Sequence, residues 1–131
     1  MPVAASQTRD KIGVLIADDH RLFAETLEAL LATDGRVEVV GQAHDGREAV
    51  DRAVKLNPDV VLMDIDMPVM DGFEATRRIR QQRKGACVLM LTGSNARTDV
   101  DLARKAGAAG YVTKDRIAAE LIEAIVEVVN R

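Results

Sequence analysis

The sequence predicts an α/β domain with a doubly wound (βα)5 fold, in which a five-stranded parallel sheet is flanked by helices on both faces. Three observations lead there. Five short apolar runs alternate with longer stretches of helical periodicity, the runs are apolar nearly throughout, and turn-forming pairs fall at the joints. A strand with no polar face must be covered on both sides, and strict β-α alternation with right-handed crossovers makes the sheet parallel.

The elements follow in chain order. Ile12 to Ala17, Val37 to Val40, Val60 to Met63, Cys87 to Leu91 and Tyr111 to Val112 read as the strands. Phe23, Leu27, Leu30 and Leu31 recur at helical spacing after the first strand, and Ala49, Val50, Ala53 and Val54 do so after the second. Phe73 to Gln82 is a third helix. A fourth, about Arg97 to Ala106, has only Val100, Leu102 and Ala103 as apolar content and is expected to be the most weakly anchored. The last, about Ile117 to Val129, carries Leu121, Ile122, Ile125, Val128 and Val129 on a broad apolar face. Asp34-Gly35, Asp45-Gly46, Asn57-Pro58, Asp71-Gly72 and Ala106-Gly107 punctuate the joints.

A chain of 131 residues supports one core, not two ordinary domains. Residues 1–10 are small and polar, without a signal-peptide core, and read as a flexible tail of a cytoplasmic protein; residues 11–131 form the folded unit. No apolar run approaches the roughly 20 residues of a membrane span. One cysteine, Cys87, excludes an internal disulfide and a thiolate metal cage, and its place in the run CVLML predicts a buried structural thiol. A net charge of -3, with two Phe, one Tyr and no Trp, offers neither a basic field nor stacking platforms, so direct nucleic-acid binding by this chain is not expected.

In open α/β sheets ligands bind at the carboxyl ends of the strands. The residues there are Asp18-Asp19, Asp64-Ile65-Asp66, Thr92-Gly93-Ser94 and Thr113-Lys114. Taken singly, each has a bland reading: a helix cap for Asp18-Asp19, loop polarity for Asp64-Ile65-Asp66, a turn hydroxyl for Thr92 and a solvated lysine for Lys114. At four strand ends together they make a site. Carboxylates gathered so closely repel one another unless a cation sits between them, and hard oxygen ligands in small number suit Mg2+. A metal-bound carboxylate beside a lysine and a hydroxyl fits phosphoryl transfer, where catalysis is mostly positioning and charge neutralisation.

Asp18-Asp19-His20, the run VVLMDIDMPVMDG from Val60 to Gly72, Thr92-Gly93 and Gly110-Tyr111-Val112-Thr113-Lys114 together resemble the signature set of bacterial two-component response-regulator receiver domains, whose fold is flavodoxin-like. The resemblance covers about Lys11 to Asn130. It implies that Asp64 accepts a phosphoryl group from the phosphohistidine of a sensor histidine kinase. It implies further that Asp19 binds Mg2+ directly and Asp18 more through water, with the Asp64 carboxylate and the backbone carbonyl of Asp66 completing the protein ligands. Lys114 and Thr92 would take phosphoryl oxygens, Thr92 and Tyr111 would form the switch, and the helix near Arg97 to Ala106 would shift with them. The side chains of Asp66 and Ser94, two positions beyond Asp64 and Thr92, are expected to set the lifetime of the phosphorylated form. Such a protein catalyses only its own phosphorylation and dephosphorylation.

Asp115 follows Lys114 where many receivers have proline. With the DDH opening and GYVTKD, this resembles the LuxR/NarL/FixJ-type subgroup, which implies a helix-turn-helix output domain, absent from this chain, through which DNA would be bound; a stand-alone receiver acting through protein contacts is the alternative, and one that signals without phosphorylation a further one. The subgroup also implies a homodimer contact through the first and last helices, although core burial explains most of the last helix's stripe. His20 reads as a site-edge residue and His44 as a surface one. The Asp64-x-Asp66 pair also resembles the nucleophile motif of haloacid-dehalogenase-type phosphatases, but there the nucleophile strand comes first and other acidic residues follow it. A nucleotide-binding module is disfavoured because the turn after the first strand, ADDHRLFAE, lacks phosphate-cradling glycines.

Overall fold

The structure is a computed structural model and describes residues 11–93 and 97–131, so the expected tail, residues 1–10, and Ser94 lie outside the described residues. Chain order is β1 (Ile12–Ala17), α1 (Arg21–Leu31), β2 (Val37–Ala43), α2 (Gly46–Leu56), β3 (Val60–Asp64), α3 (Gly72–Gln82), β4 (Cys87–Thr92), α4 (Arg97–Ala106), β5 (Gly110–Thr113) and α5 (Ile117–Val129), with a 3-10 turn at Lys114–Arg116. The five strands are parallel and ordered β2-β1-β3-β4-β5, as the doubly wound prediction requires.

Side chains alternate across the sheet, which divides the core in two. Val14, Ile16, Val60, Leu62, Leu89 and Leu91 point to one face, against α1 and α5 through Leu27, Leu31, Leu121 and Ile125. Leu15, Val61, Met63, Val88 and Met90 point to the other, against α2, α3 and α4 through Ala49, Ala53, Ala75, Ile79 and Ala103. Within α4 the core residues are the small Ala103 and Ala106, while Leu102 is exposed, so little apolar area holds that helix down.

The joints work as the turn signals suggested. Asp45 and Asp71 cap α2 and α3 by accepting the amides of Glu48 (2.8 Å) and Glu74 (2.9 Å), Asn57 ends α2 in the left-handed region at φ 49°, and Gly107 follows α4 at φ 100°. Two glycines allow close approaches that a side chain would block. A Cβ at Gly46 would lie 1.9 Å from the Met70 carbonyl oxygen, and one at Gly72 would lie 2.3 Å from that of Asp64.

Two expectations need correction. Strand β2 continues to Ala43 instead of stopping at Val40: it is an edge strand, so its outer residues are polar or half-exposed and its apolar run breaks at Gly41-Gln42 while the ladder to β1 continues. Cys87 is half-buried, not buried, because it opens β4 at the rim of the sheet, where its thiol faces the Val128 carbonyl at 3.6 Å.

Candidate functional site

Strand register gathers the site. Ala17 pairs with Met63, so the next residues, Asp18 and Asp64, leave adjacent strands side by side. Asp64 pairs with Leu91 and Thr92 with Thr113, which brings Thr92 and then Lys114 to the same edge. Asp18, Asp64 and Thr92 are all buried, with Asp64 only 2% exposed. Their burial follows from their place at the carboxyl ends of β1, β3 and β4 inside the sheet.

Lys114 Nζ lies 3.1 Å from Asp64 Oδ1 and 4.0 Å from Asp18 Oδ2. The ammonium also sits 4.7 Å from the centre of the Phe23 ring, whose face favours a cation. One lysine does not neutralise this pocket. Asp18 Oδ2, Asp19 Oδ1 and Asp64 Oδ2 are buried oxygens without a hydrogen-bond partner. Burial raises the Asp64 carboxyl above the ordinary carboxylate range, the negative charge of Asp18 raises it further, Lys114 opposes both, and Asp66 adds a smaller push upward. The carboxylate oxygens of Asp18, Asp19 and Asp64, with the His20 ring nitrogen, lie within 4.8 Å of one another. Three carboxylates at that spacing, with buried oxygens that accept no hydrogen bond, fit a small, hard divalent cation such as Mg2+.

The remaining predicted site residues fall around this pocket. Asp66 is exposed. Tyr111 is exposed on β5. His20 projects outward, with Nδ1 3.2 Å from Asp19 Oδ1 and 3.4 Å from Asp18 Oδ1. The capping alternative for the acidic pair fails: His20 holds the cap position of α1 without a side-chain bond, and Asp18 Oδ1 accepts the His20 amide at 2.8 Å. In the loop after Asp64, Val69 is 78% exposed at φ 72°, closed into a tight turn by a 2.7 Å bond from the Met70 amide to the Pro68 carbonyl. A β-branched residue there stores strain of about 1–3 kcal/mol beside the acidic pocket.

The sequence matches the response regulator receiver domain family over residues 14–126. The chain is a response-regulator receiver domain. It is 43% identical over 116 residues to the transcriptional regulatory protein DegU of Brevibacillus brevis, covering 88% of this chain and 49% of that protein. To the transcriptional regulatory protein LiaR of Bacillus subtilis it is 41% identical over 114 residues, covering 87% and 54%. The solved signal receiver domain of the response regulator NarL from Mycobacterium tuberculosis superposes with a TM-score of 0.88 at 34% identity, covering 92% of this chain and 98% of that one. These relatives place the receiver in the LuxR/NarL-type subgroup. It spans about half the length of the curated regulators it matches.

Two residues at the site were read otherwise from sequence. His44, expected on the surface, is half-buried with Nδ1 3.3 Å from the Asp18 carbonyl oxygen, because the longer β2 delivers it to the strand's carboxyl end. Phe23, read as helix core, is also the shelf under Lys114; only its position three residues after His20 hinted at this.

The raised Asp64 carboxyl has a consequence for stability. A carboxyl whose folded pKa lies above its unfolded value favours folding below the unfolded value, and that contribution is lost as pH rises through the folded one. Above the folded value the ionised Asp64 therefore destabilises the fold. Asp64→Asn is expected to stabilise the receiver by about 0.5–2 kcal/mol at neutral pH in chelator, with the gain vanishing as pH falls below the ordinary carboxylate range. Urea unfolding of both proteins across pH checks this, and a destabilised mutant at neutral pH would refute it.

Proposed function

We propose that this receiver is a phosphorylation-dependent switch of a two-component system, with Asp64 as phosphoacceptor, residues 11–131 as the phosphoacceptor unit and a sensor histidine kinase as donor. The observation that carries this reading is the asymmetry at Asp64: Oδ1 is held by Lys114 at 3.1 Å, while Oδ2 is buried without a partner. Oδ2 is then the attacking oxygen. It forms a bond to phosphorus as the bond from phosphorus to the donor's imidazole nitrogen breaks.

Asp18, Asp19, the Asp64 carboxylate and the Asp66 carbonyl are the ligands proposed for Mg2+, which when bound neutralises charge on the transferring phosphoryl group. Lys114 stays at the Asp64 side and pairs with a phosphoryl oxygen. The Thr92 hydroxyl takes another, from a buried position at the end of β4. Movement of Thr92 frees the space beside β5 into which the exposed Tyr111 turns. Helix α4, held by two alanines, is the element whose position this contact biases.

Cytoplasmic action is proposed from membership of the receiver family; among the described residues no helix is long and apolar enough to cross a membrane. The transcriptional regulatory proteins matched over about half their length support a transcriptional output; the output proposed is a LuxR-type DNA-binding domain, with DNA contacted there and not by these residues. Half-buried Ile122 and Val129 on α5, with α1 beside it, are the surface proposed for a homodimer.

Incubation with acetyl phosphate is expected to add one phosphoryl group to the wild type in the presence of Mg2+, none in chelator and none to Asp64→Asn. Intact mass reads all three, and addition to the mutant would remove Asp64 from its assigned role. Asp66→Ala and Ser94→Ala are expected to change the decay of the phosphorylated form severalfold while leaving its formation intact. Unchanged decay in both would show that these side chains do not set the lifetime.

A further inference from the structure

We propose that His44 is a positioning residue for the acidic pocket, donating from Nδ1–H to the Asp18 carbonyl and thereby fixing the peptide from which Asp18 and Asp19 project. This rests on the reading of that pocket as a divalent-cation site. The Asp18–Asp19 peptide has to be placed accurately because each side chain presents a buried oxygen that accepts no hydrogen bond. Its residues leave the sheet at this point. The last sheet bond is from the Asp18 amide to the Ala43 carbonyl, 2.9 Å. The next group along the chain, the Asp18 carbonyl, faces the His44 ring at 3.3 Å. A carbonyl oxygen only accepts, so the imidazole nitrogen facing it carries the proton, whereas free neutral imidazole is under no such constraint.

The backbone that carries the ring is itself held. The His44 amide donates to Glu48 Oε1 at 2.8 Å, and the Glu48 amide donates to Asp45 Oδ1 at 2.8 Å, so the first turn of α2 fixes the residue. That turn is seated on the loop following Asp64: the Gly46 amide approaches the Pro68 carbonyl at 3.5 Å, and a Cβ at Gly46 would collide with Met70. A continuous set of contacts thus runs from the phosphoacceptor loop through the start of α2 and His44 to the acidic pair. The imidazole is where the set reaches the ligand-bearing peptide. Indirect partners of this kind tune a metal site without touching the ion.

The test uses His44→Leu, which removes the donor, and His44→Asn, whose amide nitrogen takes nearly the place of Nδ1 and restores it. Mg2+ affinity is measured by calorimetry without phosphodonor, and thermal midpoints in chelator separate folding from positioning. The leucine variant is expected to bind Mg2+ roughly two- to tenfold more weakly, as for loss of one neutral hydrogen bond, with binding recovered in the asparagine variant. In the wild type, nitrogen chemical shifts of labelled histidine are expected to place the His44 proton on Nδ1. A proton on Nε2 with Nδ1 bare, or equal Mg2+ affinity in all three proteins, would overturn the proposal. The two failures are distinguishable: wild type without Mg2+ affinity removes the cation reading and the positioning role with it, whereas wild type that binds as well as His44→Leu removes the positioning role alone.

Discussion

The site rests on one constraint, the parallel register that ends β1 and β3 at the same level. Because Ala17 lies opposite Met63, the acidic residues that follow are forced to share one buried edge. The core on both faces of the sheet fixes this register, since a one-residue slip would turn Val14, Ile16, Val60 and Leu62 to the wrong face. Hydrophobic burial thus holds together carboxylates that electrostatics would separate. Lys114 offsets part of the repulsion; burial first, and the charge of Asp18 after it, still raise the Asp64 carboxyl, and three buried carboxylate oxygens accept no hydrogen bond. An edge in that condition favours any cation or phosphoryl group that changes its charge and hydrogen bonding, which is the physical basis for reading it as a switch.

The same economy of packing shapes the rest of the molecule. Where the chain approaches the acidic edge, it does so through glycine: Gly72 lets the start of α3 lie against the Asp64 carbonyl, and Gly46 lets the start of α2 lie on the following loop. Those two contacts leave the loop after Asp64 tightly backed, and the strained turn at Val69 is tolerated inside it. Helix α4 is different. Its buried residues are alanines, so its position depends on little apolar area.

Much of this was legible in the residues because the central strands are apolar on both faces. The bounds of β1, α4 and α5 coincide with the pattern, and β3 and β4 each differ only by including the polar residue at their ends, Asp64 and Thr92. The edge strand was harder to read. Periodicity reports burial, and β2 beyond Val40 is held by backbone bonds to β1 rather than by buried side chains. That shortened strand concealed His44, which the rule about strand ends would otherwise have singled out. Cys87 was misjudged for a related reason: an apolar run does not say where it meets the rim. The positive φ of Val69 left no mark at all, since nothing in valine favours it.

The account depends on Asp64 being a buried carboxylate whose charge is incompletely neutralised. The most direct measurement is the titration of its side-chain carbonyl carbon by NMR, with and without Mg2+. A midpoint above that of ordinary carboxyls in chelator, falling when Mg2+ is added, is the predicted result. A midpoint in the ordinary range that ignores Mg2+ would contradict the central claim, because the acidic edge would then hold no charge that a cation relieves.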